Sequence, residues 1–279
     1  MTAHALPNSL ANSWADSATM LRRNLLHLRR YPSMTVLVLG MPLVFLLLFV
    51  YVFGGTLGSG LPTAATHITG TYSTGGGRAA YANYVAPAII LLTAAAVAQG
   101  TAISVASDMT EGIIARFRTM AIAPSSVLTG HVLGSLIQAA LSMAVVTGVA
   151  IGVGFRPTAT PLEWLAAAGL LVLVALAFTW LTVALGLAAK SVETASNSPM
   201  FLLLLPFLGS GFVPTASMPA GLRWFAQYQP FTPITETLRG LLLGTGIGAQ
   251  AWLAAAWCVA LVAAGYLWAK ALYRRRPSR

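Results

Sequence analysis

An all-α integral membrane protein with six transmembrane helices is the fold class that this sequence predicts, on three observations. Hydrophobic residues make up 57% of the 279 residues and charged residues only 8%, against roughly 25% charged in a soluble globular domain. Six apolar stretches approach or exceed membrane length, and the basic residues stand mainly between or beside them. That placement decides how the formal charge of +10 is read. In a soluble chain it would suggest nucleic acid; here it sets orientation in a bilayer, so no nucleic-acid partner is expected.

Ahead of the first span, Leu10, Trp14, Ala18, Leu21, Leu25 and Leu28 recur at helical spacing with Arg22, Arg23, Arg29 and Arg30 around them. Residues 1–33 therefore predict a cytoplasmic tail and an interfacial amphipathic helix, its arginines at anionic lipid headgroups. Met34 to Phe53 carries no charge over 20 residues, enough for a hydrocarbon core of roughly 30 Å. Gly54 to Ala80, rich in Gly, Thr and Ser, predicts an outer loop. The second span is expected from Val85 to Val105, the third from Val127 to Gly154 behind a Ser125 or Ser126 cap, and the fourth from Leu162 to Ala189. The fifth, Pro199 to Val213, is short and interrupted by Pro206, which removes a helix hydrogen bond and predicts a kink. The last runs from Ala251 to Ala269 and is followed by Lys270, Arg274, Arg275, Arg276 and Arg279. With both termini inside, twelve of the sixteen basic residues are cytoplasmic, as the positive-inside rule requires.

Between the second and third spans, Asp108 to Pro124 is the one internal segment where charges cluster. Read as a helix, Ile113, Ile114, Phe117, Met120 and Ala121 share a face, with Glu111 and Arg118 opposite, Arg116 and Thr119 on the flanks and Ile122 a misfit. Such a helix lies on the membrane surface and offers its charged side to a partner. Pro219 to Gly244 is neither a span nor a simple loop. Thr232-Pro233 predicts a helix start, Ile234, Leu238, Leu241 and Leu242 align, and Glu236 can pair with Arg239 on the other face. Trp224, Phe225, Tyr228 and Phe231 suit the outer interface, so the expectation is a helical hairpin dipping into the outer leaflet.

A transporter needs an energy source, and two can be compared. Proton-coupled carriers keep a titratable group within their spans. Here the acidic residues fall at span ends or outside, and only His131 approaches a span interior. ATP binding requires a G-x-x-x-x-G-K-[ST] loop, yet Ala189 precedes Lys190-Ser191, the only Lys-Ser pair. No catalytic residue, metal site or cofactor is expected in this chain, and Cys258, its single cysteine, lies in an apolar run. ATP and Mg, if used, belong to a separate subunit.

Glu111-Gly112, Arg116-Phe117-Arg118 and Pro124, together with Pro230-Phe231-Thr232-Pro233 and Leu238-Arg239-Gly240, resemble the membrane subunit of type-2 ABC exporters, of the daunorubicin-resistance permease kind. The likeness covers essentially the whole chain. Ala121, where many such permeases have proline, and Gln229, where asparagine often stands, depart from the pattern.

The resemblance implies a six-helix transmembrane domain over 34–279, with a coupling segment at 108–124 and an outer hairpin at 219–244. It also implies a cytoplasmic ABC ATPase as partner, a second permease copy, identical or not, and export of hydrophobic or amphipathic compounds across a bacterial cytoplasmic membrane. Glu111, Gly112, Arg116, Phe117 and Arg118 are the expected ATPase-coupling residues, and Thr93, Gln99, Asn197, Phe201 and Phe207 the candidates for the translocation path. Trp224, Glu236 and Arg239 mark the hairpin. Export of a lipid or glycan precursor, a secondary carrier and a non-transporting membrane scaffold are the alternatives.

Overall fold

The computed structural model describes residues 32–59, 77–111 and 124–275. The expected interfacial helix before Pro32 lies outside the described residues. So does the core of the charged segment, 112–123. Among the described residues there is helix and turn but no strand. A chain this apolar satisfies its backbone N–H and C=O groups within helices, because hydrocarbon offers no partners.

Helix α1 (Pro32–Leu47) runs through a π-helical turn, Leu48–Phe53, into the short α2 (Gly54–Ser59). The helical path therefore extends beyond the expected start of the outer loop. Helix α3 spans Arg78–Thr110 and begins earlier than Val85, the expected start. Helices α4 (Pro124–Val153) and α5 (Pro161–Ala188) follow. A capping box starts α5: the Thr160 N–H donates to Glu163 Oε2 at 2.7 Å, and the Glu163 N–H donates to Thr160 Oγ1 at 3.4 Å. Two orphan donors are thereby satisfied, and Pro161 in the first turn has none to lose.

The expected fifth span is not one continuous α-helix. After the short α6 (Val192–Asn197), it comprises α7 (Met200–Leu204) and a 3₁₀ turn, Leu205–Leu208, followed by turns. The change of winding falls where Pro206 removes a donor. Helices α8 (Ala220–Tyr228) and α9 (Phe231–Leu243) form the hairpin, and α10 (Gln250–Arg275) closes the fold. Gly244 ends α9 at φ 65°, a left-handed conformation open to glycine, and the Thr245 N–H donates back to the Gly240 carbonyl at 2.8 Å.

Five helical stretches among the described residues are long and apolar enough to cross a membrane: Val38–Gly58, Arg78–Thr110, Leu128–Val153, Pro161–Ala188 and Gln250–Arg274. The most apolar stretch of α3 is 72% buried and that of α10 only 17%, so α3 is central and α10 peripheral. Tight approaches fasten this arrangement. A Cβ on Gly186 would lie 2.6 Å from the Ala102 carbonyl oxygen, and one on Gly265 would lie 2.7 Å from the Leu181 nitrogen. Backbone contact through small residues is how helices associate where lipid supplies no hydrophobic drive.

Helices α3, α5 and α10 end together where α4 begins, so α4 runs antiparallel to the other three and the bundle has two ends. At one, Val105, Leu128, Val132, Val183, Leu187, Ala269 and Tyr273 form an apolar cluster beneath the ends of α3, α4, α5 and α10. At the other, Thr158 Oγ1 donates to the Leu243 carbonyl at 2.6 Å and the Arg156 N–H to Asn83 Oδ1 at 2.8 Å. The hairpin enters from this second end. Phe231 stacks on Phe178 at 5.2 Å, and Phe178 lies 17 residues into α5, about 25 Å at 1.5 Å per residue.

Candidate functional site

Helix α3 links the two places where polar groups gather. At the end bearing the 112–123 connection, Asp108 sits in the last turn of α3 and His131 two turns into α4. Asp108 Oδ2 and His131 Nε2 are 3.0 Å apart, with both side chains buried. Two turns further along α3, Thr101 Oγ1 donates to Ser135 Oγ at 2.7 Å, and Ser135 Oγ lies 3.2 Å from Thr179 Oγ1. This hydroxyl chain ties α3, α4 and α5 together. Glu111 caps α3, its N–H donating to the Ser107 carbonyl at 2.9 Å, and its side chain is exposed. Gly112, Arg116, Phe117 and Arg118 lie outside the described residues.

Sequence reasoning treated His131 and Asp108 separately and missed the pair. The available signal was positional: a histidine early in one helix and an acid late in the preceding one face each other when the two run antiparallel. Among the described residues no group of three His, Cys, Asp or Glu side chains is arranged to hold a metal.

The candidate path residues divide. Thr93 is fully enclosed, its hydroxyl donating to the Ile89 carbonyl at 2.8 Å. Gln99 is half-buried and its Nε2 donates to the Ser196 carbonyl at 2.7 Å, beside the exposed Asn197. Phe201 and Phe207 both show on the surface of the chain. Phe207 belongs to an aromatic cluster, stacked on Phe212 at 4.5 Å and edge-on to Phe45 at 5.5 Å, while Phe49 from the π-helical turn also stacks on Phe212 at 4.5 Å.

At the hairpin end, the expected i,i+3 pair forms: Arg239 Nη1 is 2.7 Å from Glu236 Oε1. Its setting is largely interior. Every residue of α9 except Glu236 is buried, and Arg239 is 3% exposed. The guanidinium lies over the Tyr84 ring at 3.9 Å, and Nη2 donates to the Tyr84 and Ser210 carbonyls, each at 3.0 Å. Tyr84 Oη donates to the same Ser210 carbonyl at 2.8 Å, and Tyr81 Oη to the Phe212 carbonyl at 3.2 Å. Those carbonyls are freed where the chain stops being helical after Leu208, so the buried cation and tyrosines answer an accounting need.

Two expectations at the hairpin are corrected. Helix α9 starts at Phe231, and Thr232 Oγ1 instead accepts from the Ser210 N–H at 3.2 Å. Phe231 is core, whereas Trp224, Phe225 and Tyr228 are exposed as an interface belt requires.

Comparison with known proteins decides the family. The model of the ABC-2 type transporter family matches residues 17–243. The chain belongs to the ABC-2 type transporter family. The match includes the unbroken run from α1 to the end of α9, and so both polar gatherings. The chain is 25% identical over 238 residues to the daunorubicin resistance ABC transporter permease protein DrrB1 of Streptomyces coeruleorubidus, covering 84% of this chain and 78% of that one. It is 28% identical over 229 residues to the probable doxorubicin resistance ABC transporter permease protein DrrC of Mycobacterium tuberculosis, covering 81% and 77%. An ABC-2 chain is thus seen with a polar site at each end of one central helix.

Proposed function

We propose that this chain is the permease subunit of an ATP-driven exporter that moves hydrophobic or amphipathic, drug-like compounds out across a bacterial cytoplasmic membrane. The observation that carries the proposal is the similarity to two drug-resistance permeases over about four-fifths of the chain and of each relative. The charge pattern supports placing the Asp108–His131 end in the cytoplasm, because Lys270 and Arg274 leave the bundle there. A sixth crossing is then made by the broken path α6–α7–Leu208, and the hairpin enters from the outside.

In this reading a cytoplasmic ABC ATPase docks on the segment around Glu111, Gly112, Arg116, Phe117 and Arg118. Phe117 anchors and the charges orient. Nucleotide-driven closure of the ATPase pushes that segment, tilts α3 and α4, and changes the exposure of a cavity between two permease copies. Gln99, Asn197, Phe201 and Phe207 face that cavity. Purification of the chain with its ATPase tests the proposal: drug-stimulated hydrolysis by the copurified complex supports it, and a chain that captures no ATPase refutes it.

The Asp108–His131 pair favours a second reading, a proton-driven carrier, since it is a buried titratable pair. Efflux abolished by a protonophore at constant ATP would select that reading.

A further inference from the structure

We infer that the Asp108–His131 bridge is a clasp that makes α3 and α4 move as one unit, converting a push on the connection between them into motion of the hairpin at the far end of α3. The inference rests on the exporter reading above.

Three observations carry it. The first is placement: Asp108 precedes the 112–123 segment and His131 follows it, so the bridge joins both stems of the proposed docking element. An apolar contact alone would hold the two helices together but would let them slide, whereas a hydrogen-bonded pair fixes their register. Asp108 is one of six acidic residues in the chain and His131 one of four histidines. Burying them together is costly where well-packed hydrophobic residues would serve stability as well, so the pair points to specificity of arrangement.

The second observation is the Thr101–Ser135–Thr179 chain, which repeats the α3–α4 tie two turns deeper and adds α5. With two rungs, the three helices resist shear and respond to force by tilting.

The third is what α3 holds at its other end. Tyr81 and Tyr84 bond the Phe212 and Ser210 carbonyls, and the Tyr84 carbonyl accepts from Arg239 of α9. A helix of 33 residues, about 50 Å long, therefore connects the clasp to the hairpin without a break in winding. Asp108 and His131 are positioning residues in this scheme; neither contacts cargo or nucleotide.

The test uses the full chain reconstituted with its ATPase. Cys258, the single cysteine, is buried, so a fluorophore on Trp224→Cys, at a position 67% exposed on the hairpin, reports hairpin motion. The variants are Asp108→Ala, His131→Ala and the reciprocal exchange Asp108→His with His131→Asp. In membrane-inserted alanine variants, transport per ATP hydrolysed falls about tenfold or more. The nucleotide-dependent fluorescence change disappears in them, and hydrolysis itself persists. The exchange restores both readouts, which a merely space-filling role does not predict.

Alanine variants that keep wild-type transport and fluorescence overturn the clasp alone. An inserted exchange variant that stays uncoupled does the same, and it is the deciding variant if the alanine proteins fail to accumulate. A wild-type complex that shows no ATP-dependent export overturns the exporter reading, and the clasp with it.

Discussion

Replacing Arg239 by leucine removes the most densely bonded cation among the described residues, and the cost can be worked from its contacts. Its partner Glu236 is 30% exposed on the side chain, so water recovers part of the lost ion pair, leaving about 3 kcal/mol at the low end of a broken buried pair. The Ser210 carbonyl keeps its bond from Tyr84 Oη, but the part-buried Tyr84 carbonyl loses its Arg239 donors, adding about 1 kcal/mol. The sum, about 4 kcal/mol, is a large fraction of a total stability of roughly 5–15 kcal/mol. At 2–4 °C per kcal/mol, it corresponds to a melting temperature lowered by roughly 8–16 °C. Arg239→Lys keeps the charge beside Glu236 but loses the planar fork, so it falls between wild type and Arg239→Leu. Thermal unfolding of detergent-purified protein, followed by size-exclusion recovery, measures this. An Arg239→Leu protein melting within roughly 2 °C of wild type would refute the reasoning.

Gly265→Leu places a side chain where a Cβ alone would already meet the Leu181 nitrogen at 2.7 Å. Helix α10 then cannot seat against α5, and membrane-inserted protein in quantitative blots falls several-fold. Gly169→Leu, at a glycine with open space around it, should change little. Ser135→Ala leaves Thr101 and Thr179 without their shared hydroxyl, lowering stability by about 1–3 kcal/mol, read as a lowered melting temperature. Glu111→Ala, at an exposed helix cap, should insert normally yet lower drug export; normal export would remove Glu111 from the coupling role.

Much of this architecture was legible because its signals are local. Long runs without charge announce their own helices, Pro206 announces the break in the fifth stretch, and the i,i+3 spacing of Glu236 and Arg239 announces their pair. What escaped depends on partners remote in sequence. The burial of Arg239 has no local signal because the Tyr84 carbonyl that receives it is 155 residues away. Phe231 read as an interface aromatic because nothing nearby reveals Phe178 opposite it. Asp108 and His131, 23 residues apart, meet only because α3 and α4 pack antiparallel. The π-helical turn at Leu48–Phe53 has no signature in composition, and Phe49 within it stacks on Phe212, 163 residues away, with nothing nearby to announce the contact.

Transport into sealed inverted vesicles, with the purified chain alone or together with its ATPase, tests the central claim most directly. The account predicts that a fluorescent anthracycline accumulates only when both proteins and ATP are present, and that a protonophore leaves accumulation intact. Accumulation by the chain alone, driven by an imposed pH difference, would contradict it.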